Sequence, residues 1–313
     1  MNVFVWHVHG TYTTALVQGR HRYLIPVLPD RGPYGRGRAR TWDWPESAVE
    51  VTPAEAAQAE VDLVILQRPG ELAHVASAWL GGRVPGVDVP AVYLEHNAPQ
   101  GRVNDLRHPA ADAPGVTVVH VTKFNALFWD TGNSPVSVIE HGVVDPGHRW
   151  TGELPQAVAV VNEPVRRARV TGTDLLGPLA IRSGVPVDLF GMASEPLGGV
   201  HLGQAELHAE MPRRRVYLHP FRWTSLGLTL LEAMHLGMPV VALATTEVPA
   251  AVPAEAGIVS NDGEVLAAGL RRLAADPEEA ELMGKAAREV ALERYGLGRF
   301  LDDWDRVFEE VAA

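Results

Sequence analysis

Tyr217 to Leu243 reads YLHPFRWTSLGLTLLEAMHLGMPVVAL. A short apolar run opens it, a polar loop holding Gly227 follows, and a helix-patterned stretch carries Glu232. Gly237 and Pro239 then stop the helix before a second apolar run. Strand, loop, helix, strand is a βαβ unit, which implies a parallel sheet buried on both faces. Glu232 is the only formal charge between Trp223 and Thr246, but Gly237 and Pro239 interrupt the stretch too early for a membrane span. The backbone N–H groups of Ser225, Leu226, Gly227 and Leu228 stand at the positive end of the helix, where a diphosphate could be held. Glu232, well inside the helix, could accept hydrogen bonds from a ribose diol. A buried helix with a satisfied carboxylate is the plainer alternative.

The same alternation extends outward. Val3 to Trp6, Tyr23 to Val27, Val61 to Leu66, Ala91 to Leu94 and Val116 to Val121 form one series of apolar runs. After the punctuated stretch Asp145 to Pro155, a second series comprises Ala157 to Val161, Val187 to Phe190, Val216 to Leu218 and Val240 to Leu243. The expected fold class is α/β, with two Rossmann-like domains over 1–150 and 151–313. Asp276-Pro277-Glu278-Glu279 supplies an N-cap, an N1 proline and first-turn acids for a helix over about 277–294. Leu301, Trp304, Val307, Phe308 and Val311 repeat at helical spacing in a last amphipathic helix, about 300–313.

The 313 residues include 27 Lys and Arg against 38 Asp and Glu, a net charge of −11. Such a chain has no overall attraction for nucleic acid or an anionic membrane face, so an anionic ligand needs a local site. The absence of cysteine excludes disulfides, thiolate nucleophiles and cysteine-based metal sites, and suits a cytoplasmic location. Met1 to Gly10 has no basic leader pattern and reads as a first strand. No transmembrane segment is expected; peripheral membrane contact stays open. Arg31 to Arg40 (RGPYGRGRAR) reads as a mobile surface loop, with an acceptor-binding lid or an RNA contact as sharper alternatives. Without a Walker A motif, a Gly-x-Ser-x-Gly elbow or a Gly-x-Gly-x-x-Gly fingerprint, the kinase, serine-hydrolase and dehydrogenase readings fall. Asp303-Trp304-Asp305 matches an Asp-x-Asp metal signature, but it is expected to begin the last helix and supply N-terminal helix charges.

Tyr217 to Leu243 resembles the donor-site segment of retaining GT-B glycosyltransferases of the GT4 type, whose signature is two glutamates separated by seven residues. Glu232 matches the second glutamate, and AMHLGMPVVA matches the continuation. The first glutamate, which in the family lies beside the transferred sugar, is Thr224 here. Ile139 to Val143 resembles the family's Asn-Gly-Val segment, and Val161 to Leu176 its Gly-Arg…Lys-Gly segment. The family lysine is Thr171, which leaves Arg166, Arg167 or Arg169 to supply positive charge to the leaving diphosphate, unless they form a solvated face. Arg294 to Val307 resembles the closing segment, in which the last helix crosses back to the first domain.

For the N-terminal half the resemblance implies acceptor contacts at His9, Gly10 and Thr11, in the glycine loop after strand one. It also implies a catalytic histidine near the transferred sugar at His96, after the fourth apolar run, with His120 and His141 as weaker candidates. His7 and His9 alternate on one strand face, so a His-x-His metal pair is the rival reading. It needs a further ligand cluster that the sequence does not display, and no metal is expected.

The implied enzyme is a hexosyltransferase-type glycosyltransferase (EC 2.4), retaining, metal-independent and without a cofactor. It would use a nucleoside-diphosphate-sugar as co-substrate and an acceptor hydroxyl of unknown identity, in a cleft between two facing domains. A non-catalytic nucleotide- or sugar-binding descendant, prompted by Thr224, and a His7/His9 metal-dependent hydrolase are the alternatives.

Overall fold

Twelve strands, all paired in parallel, form two sheets in a computed structural model that describes residues 1–313. In chain order they are β1 Asn2–Val5, β2 Arg22–Pro26, β3 Ala48–Val51, β4 Leu63–Leu66, β5 Ala91–Glu95, β6 Val116–His120, β7 Val136–Val138, β8 Leu154–Val160, β9 Val187–Phe190, β10 Arg214–His219, β11 Val240–Leu243 and β12 Gly257–Ser260. The chain divides into one unit of Met1–Val144 with Leu297–Ala313 and a second of Asp145–Gly296. The architecture is α/β, as expected.

The first unit's sheet runs β3-β2-β1-β4-β5-β6-β7. β4 and β5 are buried along their whole length, as strands covered on both faces must be. Phe4, Trp6, Leu66, Trp79 and Tyr93 pack one side of the sheet. The second unit's sheet runs β12-β11-β10-β8-β9. Its core gathers Leu179, Leu218, Val241, Leu266, Leu270 and Leu273.

The nine apolar runs of the sequence each became a strand, and three further strands occur: β3, β7 and β12. Each is a sheet edge with half-exposed residues. An edge strand has only one neighbour and a partly solvated face, so it need not carry the continuous apolar run that reveals a buried strand; of the four edges only β9 was marked by one. In consequence the strand preceding His96 is the fifth in the chain. β8 also begins at Leu154, inside the stretch read as punctuation.

The Pro277–Tyr295 helix begins as its signals required, with the Asp276 side chain accepting from the N–H groups of Glu278 and Glu279. The last helix spans Leu297–Ala312 and belongs to the first unit. Phe300, Trp304, Val307 and Phe308 are its buried seam, and Trp304 Nε1 donates to the Tyr12 hydroxyl at 3.1 Å. The reading of Asp303 and Asp305 as N-terminal charges is corrected, because the helix starts two turns earlier. Asp303 instead binds Arg299 and Arg306, and Asp305 binds His21 at 2.8 Å and Arg20.

Gly142 touches this helix so closely that an added Cβ would run into Cβ and Cγ of Phe300. Arg299 donates to the carbonyls of Glu140 and His141 beside it. Gly142→Ala is therefore expected to lower stability by about 1–3 kcal/mol through overpacking, read as a lower urea midpoint. An unchanged midpoint contradicts this account of the helix anchor.

Candidate functional site

In the second unit the order of connection reverses between β8 and β10, and open α/β sheets bind ligands beyond the carboxyl ends of strands at such a point. Two segments meet there, 161–172 after β8 and 220–227 after β10. Gly172 has φ +68°, and a Cβ on it would overlap the Pro220 carbonyl. The N–H groups of Arg222 and Trp223 donate to the Val170 carbonyl at 2.9 and 3.2 Å, and the Arg222 guanidinium reaches Asp174 and the Arg169 carbonyl. From the strand-end loop after β11, Thr245 Oγ1 donates to the Phe221 carbonyl at 2.7 Å. The 220–227 loop is thus held from both sides.

Gly227 caps the Leu228–Leu236 helix, and a Cβ there would stand 2.6 Å from Cε1 of His219. Burial pushes His219 down to about 3, and its ring stacks on Phe221 at 4.5 Å. Four non-glycine residues adopt positive φ just beyond strand ends of this unit: Glu163, Ala168, Ala193 and Thr246. Such backbone costs about 1–3 kcal/mol per residue and persists only where its surroundings enforce it.

The structure separates the three arginines. Arg166 pairs with Glu163 and Arg169 with Asp174. Arg167 forms no salt bridge, is half-buried, and lies over the Phe221 ring at 5.8 Å. Ser225 and Leu226 are buried, while Thr224, Gly227 and Leu228 are partly accessible at the helix entrance. Glu232 is 2% exposed, with Oε2 3.6 Å from Nε2 of His208.

In the first unit the reversal falls between β1 and β4. Gln67, one residue beyond β4, donates from Nε2 to the Trp6 carbonyl at 2.8 Å. Its Oε1 is therefore the acceptor 3.0 Å from His96 Nε2, which fixes the proton on Nε2 and leaves Nδ1 the basic nitrogen of His96. The His96 ring meets that of His9 at 4.3 Å and the edge of Tyr12 at 4.6 Å; Tyr12 also faces His141 at 5.6 Å. Burial, then the neighbouring His9 and His141, hold His96 well below the ordinary histidine range. His9 precedes the Gly10–Leu16 helix, which places Gly10 and Thr11 in the first turn beside it.

His120 stands apart. Its buried ring has no hydrogen-bond partner, and burial pushes it down to about 4. Glu95 and His108 form a buried pair at 3.0 Å behind the His96 loop. The Ala110 N–H donates to His108 Nδ1, so His108 Nε2 carries the proton to Glu95. His7 turns to the Gly37 carbonyl and the Trp44 ring, away from the His9–His96 contact. No group of three or more His, Asp or Glu side chains is arranged to hold a metal ion. The sequence reading passed over Tyr12 and Gln67; for Gln67 the available signal was its place immediately after a buried apolar run.

Residues 199–290 match the family model described as Glycosyl transferases group 1. Over 80 residues the chain is 40% identical to sulfoquinovosyl transferase SQD2 of Arabidopsis thaliana, which is 24% of this chain and 16% of that protein. The UDP-glucose complex of Anabaena HepE superposes with a TM-score of 0.71 at 14% identity, over 99% of this chain and 100% of that one. TarM of S. aureus, in a complex containing UDP, gives 0.62 at 16% identity over 79% of this chain and 55% of its own. The chain thus spans about half of TarM and a smaller part of the curated relative. The fold is that of GT-B glycosyltransferases, and no helix is long and apolar enough to cross a membrane.

The buried neutral histidines set a pH dependence of stability. His219 and His120 titrate at about 3 and about 4 in the folded chain, but near 6.5 when unfolded. As pH falls below about 6.5 the unfolded chain takes up protons that the folded chain refuses, so stability declines at up to about 1.4 kcal/mol per pH unit for each histidine. Urea unfolding between about pH 7.5 and 5.5 should show this decline, and His120→Gln should reduce its slope; a flat profile contradicts it.

Proposed function

We propose that this chain, with a glycosyl transferases group 1 segment in a GT-B fold, moves a hexose from a nucleoside-diphosphate-sugar to an acceptor hydroxyl, with retention and without a metal. What carries the reading is the junction at the β8–β10 reversal, where the arginine turn abuts the glycine loop that opens the Leu228–Leu236 helix. UDP is the nucleotide of choice, since HepE was captured with UDP-glucose and TarM with UDP.

In this scheme the amides of Ser225 to Leu228 and the unbridged Arg167 stabilise the charge that builds on the departing diphosphate. Arg166 and Arg169, each neutralised by a carboxylate, contribute less. Glu232 binds the ribose diol and Thr224 lies beside the donor sugar. Fixed dipoles and one guanidinium carry the leaving-group charge, so the scheme requires no cation. The leaving phosphate takes the acceptor proton, and no protein nucleophile is needed.

On the acceptor side, His9, Gly10 and Thr11 contact the substrate, and neutral His96 lies near the transferred sugar. The lack of cysteine fits action in a reducing cytoplasm.

Calorimetric titration with UDP, GDP, ADP and dTDP tests the proposal. UDP should bind preferentially, and both Glu232→Ala and Arg167→Ala should weaken it by roughly tenfold to a hundredfold, the worth of a hydrogen bond to a charged group. Turnover of UDP-hexoses should persist in EDTA. Failure of every nucleotide to bind would overturn the transferase reading, and binding without turnover of any sugar donor would point to a non-catalytic descendant.

A further inference from the structure

In the Arg31–Arg40 segment after β2, read from the sequence as a mobile surface loop, residues 31–38 are held by a network of hydrogen bonds. Arg31 takes a positive φ and binds both oxygens of Glu50. The same carboxylate accepts from the Arg38 N–H at 2.8 Å, and a Cβ on Gly37 would collide with it. The Arg38 guanidinium donates to the carbonyls of Trp44, Pro45 and Ala48. Arg36 donates to the Val8 carbonyl at 3.1 Å, in the loop that carries His7 and His9.

This bracing borders an open surface concavity of about 500 Å³ lined by His7, Asp30, Arg31, Arg36, Arg38 and Arg40. Only Arg31 among the four arginines meets a carboxylate. Elsewhere Arg68, Arg107, Arg169, Arg213, Arg214 and Arg222 each have one, whereas Arg83, Arg149, Arg215 and Arg271 bond only to carbonyls but stand singly, not grouped around one concavity. Convergence of unneutralised guanidiniums costs Coulomb energy, which a bound anion would reverse. Counting Asp30 and Glu50 against the four arginines leaves a surplus of two positive charges. A phosphate monoester carries about −1.5 to −2 at pH 7 and presents oxygens that guanidiniums bind in bidentate fashion.

We propose that this pocket binds the phosphate group of a phosphorylated acceptor, held by Arg36, Arg38 and Arg40. The inference rests on the transferase reading only for the word acceptor. Arg36 ties the pocket to the backbone between His7 and His9, so an occupant sits beside the loop assigned to the acceptor.

The test is calorimetry with UDP held saturating, so that the donor side is occupied, using inorganic phosphate, glycerol 1-phosphate and glycerol as probes. Vesicles of phosphatidylcholine with or without phosphatidic acid form a lipid arm. The variants are Arg40→Glu, whose side chain is exposed and has no internal bond, and Arg36→Gln. Phosphate and glycerol 1-phosphate should bind, glycerol should not, and each variant should weaken phosphate binding at least tenfold with UDP affinity unchanged. Binding confined to phosphatidic acid vesicles, and lost in both variants, would also support the pocket and place the phosphate on a lipid. Phosphate binding equal in wild type and both variants, or no binding of any phosphate probe, overturns it. If UDP fails to bind while phosphate binding stays arginine-dependent, the transferase reading falls and the anion pocket stands.

Discussion

Parallel pairing is the constraint on which the rest of this structure depends. A parallel strand can be followed only by a crossover, so every strand in a sheet delivers its carboxyl end to the same edge. In the first unit that edge receives His7 and His9 after β1, the Arg31–Arg40 segment after β2, Gln67 after β4 and His96 after β5. In the second it receives 161–172 after β8, 220–227 after β10 and Thr246 after β11. Polar chemistry is concentrated there because the opposite edge and both faces are committed to connections and core.

Within that frame, close backbone approach does the positioning. Gly172 lets one strand-end loop rest on the carbonyl of another, Gly227 lets a helix begin against the His219 ring, and Gly37 makes room for the Glu50 carboxylate. These contacts fix loops that have no regular ladder of their own. The positive φ values at Arg31, Glu163, Ala168 and Thr246 lie in the same strand-end segments, whereas those at Asp112 and Ala193 lie outside them.

What could be read beforehand follows from how each signal is generated. Central strands are buried on both faces and announce themselves as apolar runs, whereas β3, β7 and β12, with half-exposed patterns, do not. The glycine loop and helix at 217–243 were legible because the spacing lies within one segment. The Gln67–His96–His9–Tyr12 cluster was not, apart from its histidines, because three separate pieces of chain supply it and only the sheet order brings them together. The arginines of 166–169 and of 31–40 looked alike in sequence. They differ in the fold through their carboxylates: Glu163 and Asp174 neutralise two of the first group, whereas Glu50 reaches one of the second.

That difference bears on how an acidic protein handles anionic ligands. At a net charge of −11, long-range attraction works against an approaching phosphate. Mobile ions damp this repulsion beyond about 8 Å at physiological ionic strength, and over shorter distances the local arrangement of charge decides. Arginines paired with carboxylates add little to the local field. Guanidiniums whose hydrogen bonds end on neutral carbonyls, as those of Arg36 and Arg38 do, are held in place and keep their full charge. Carbonyl bracing therefore does two things that an ion pair cannot do together: it fixes the direction of the donor and leaves its charge for a ligand. An acidic fold can in this way hold anion sites at its strand ends while its surface as a whole stays negative.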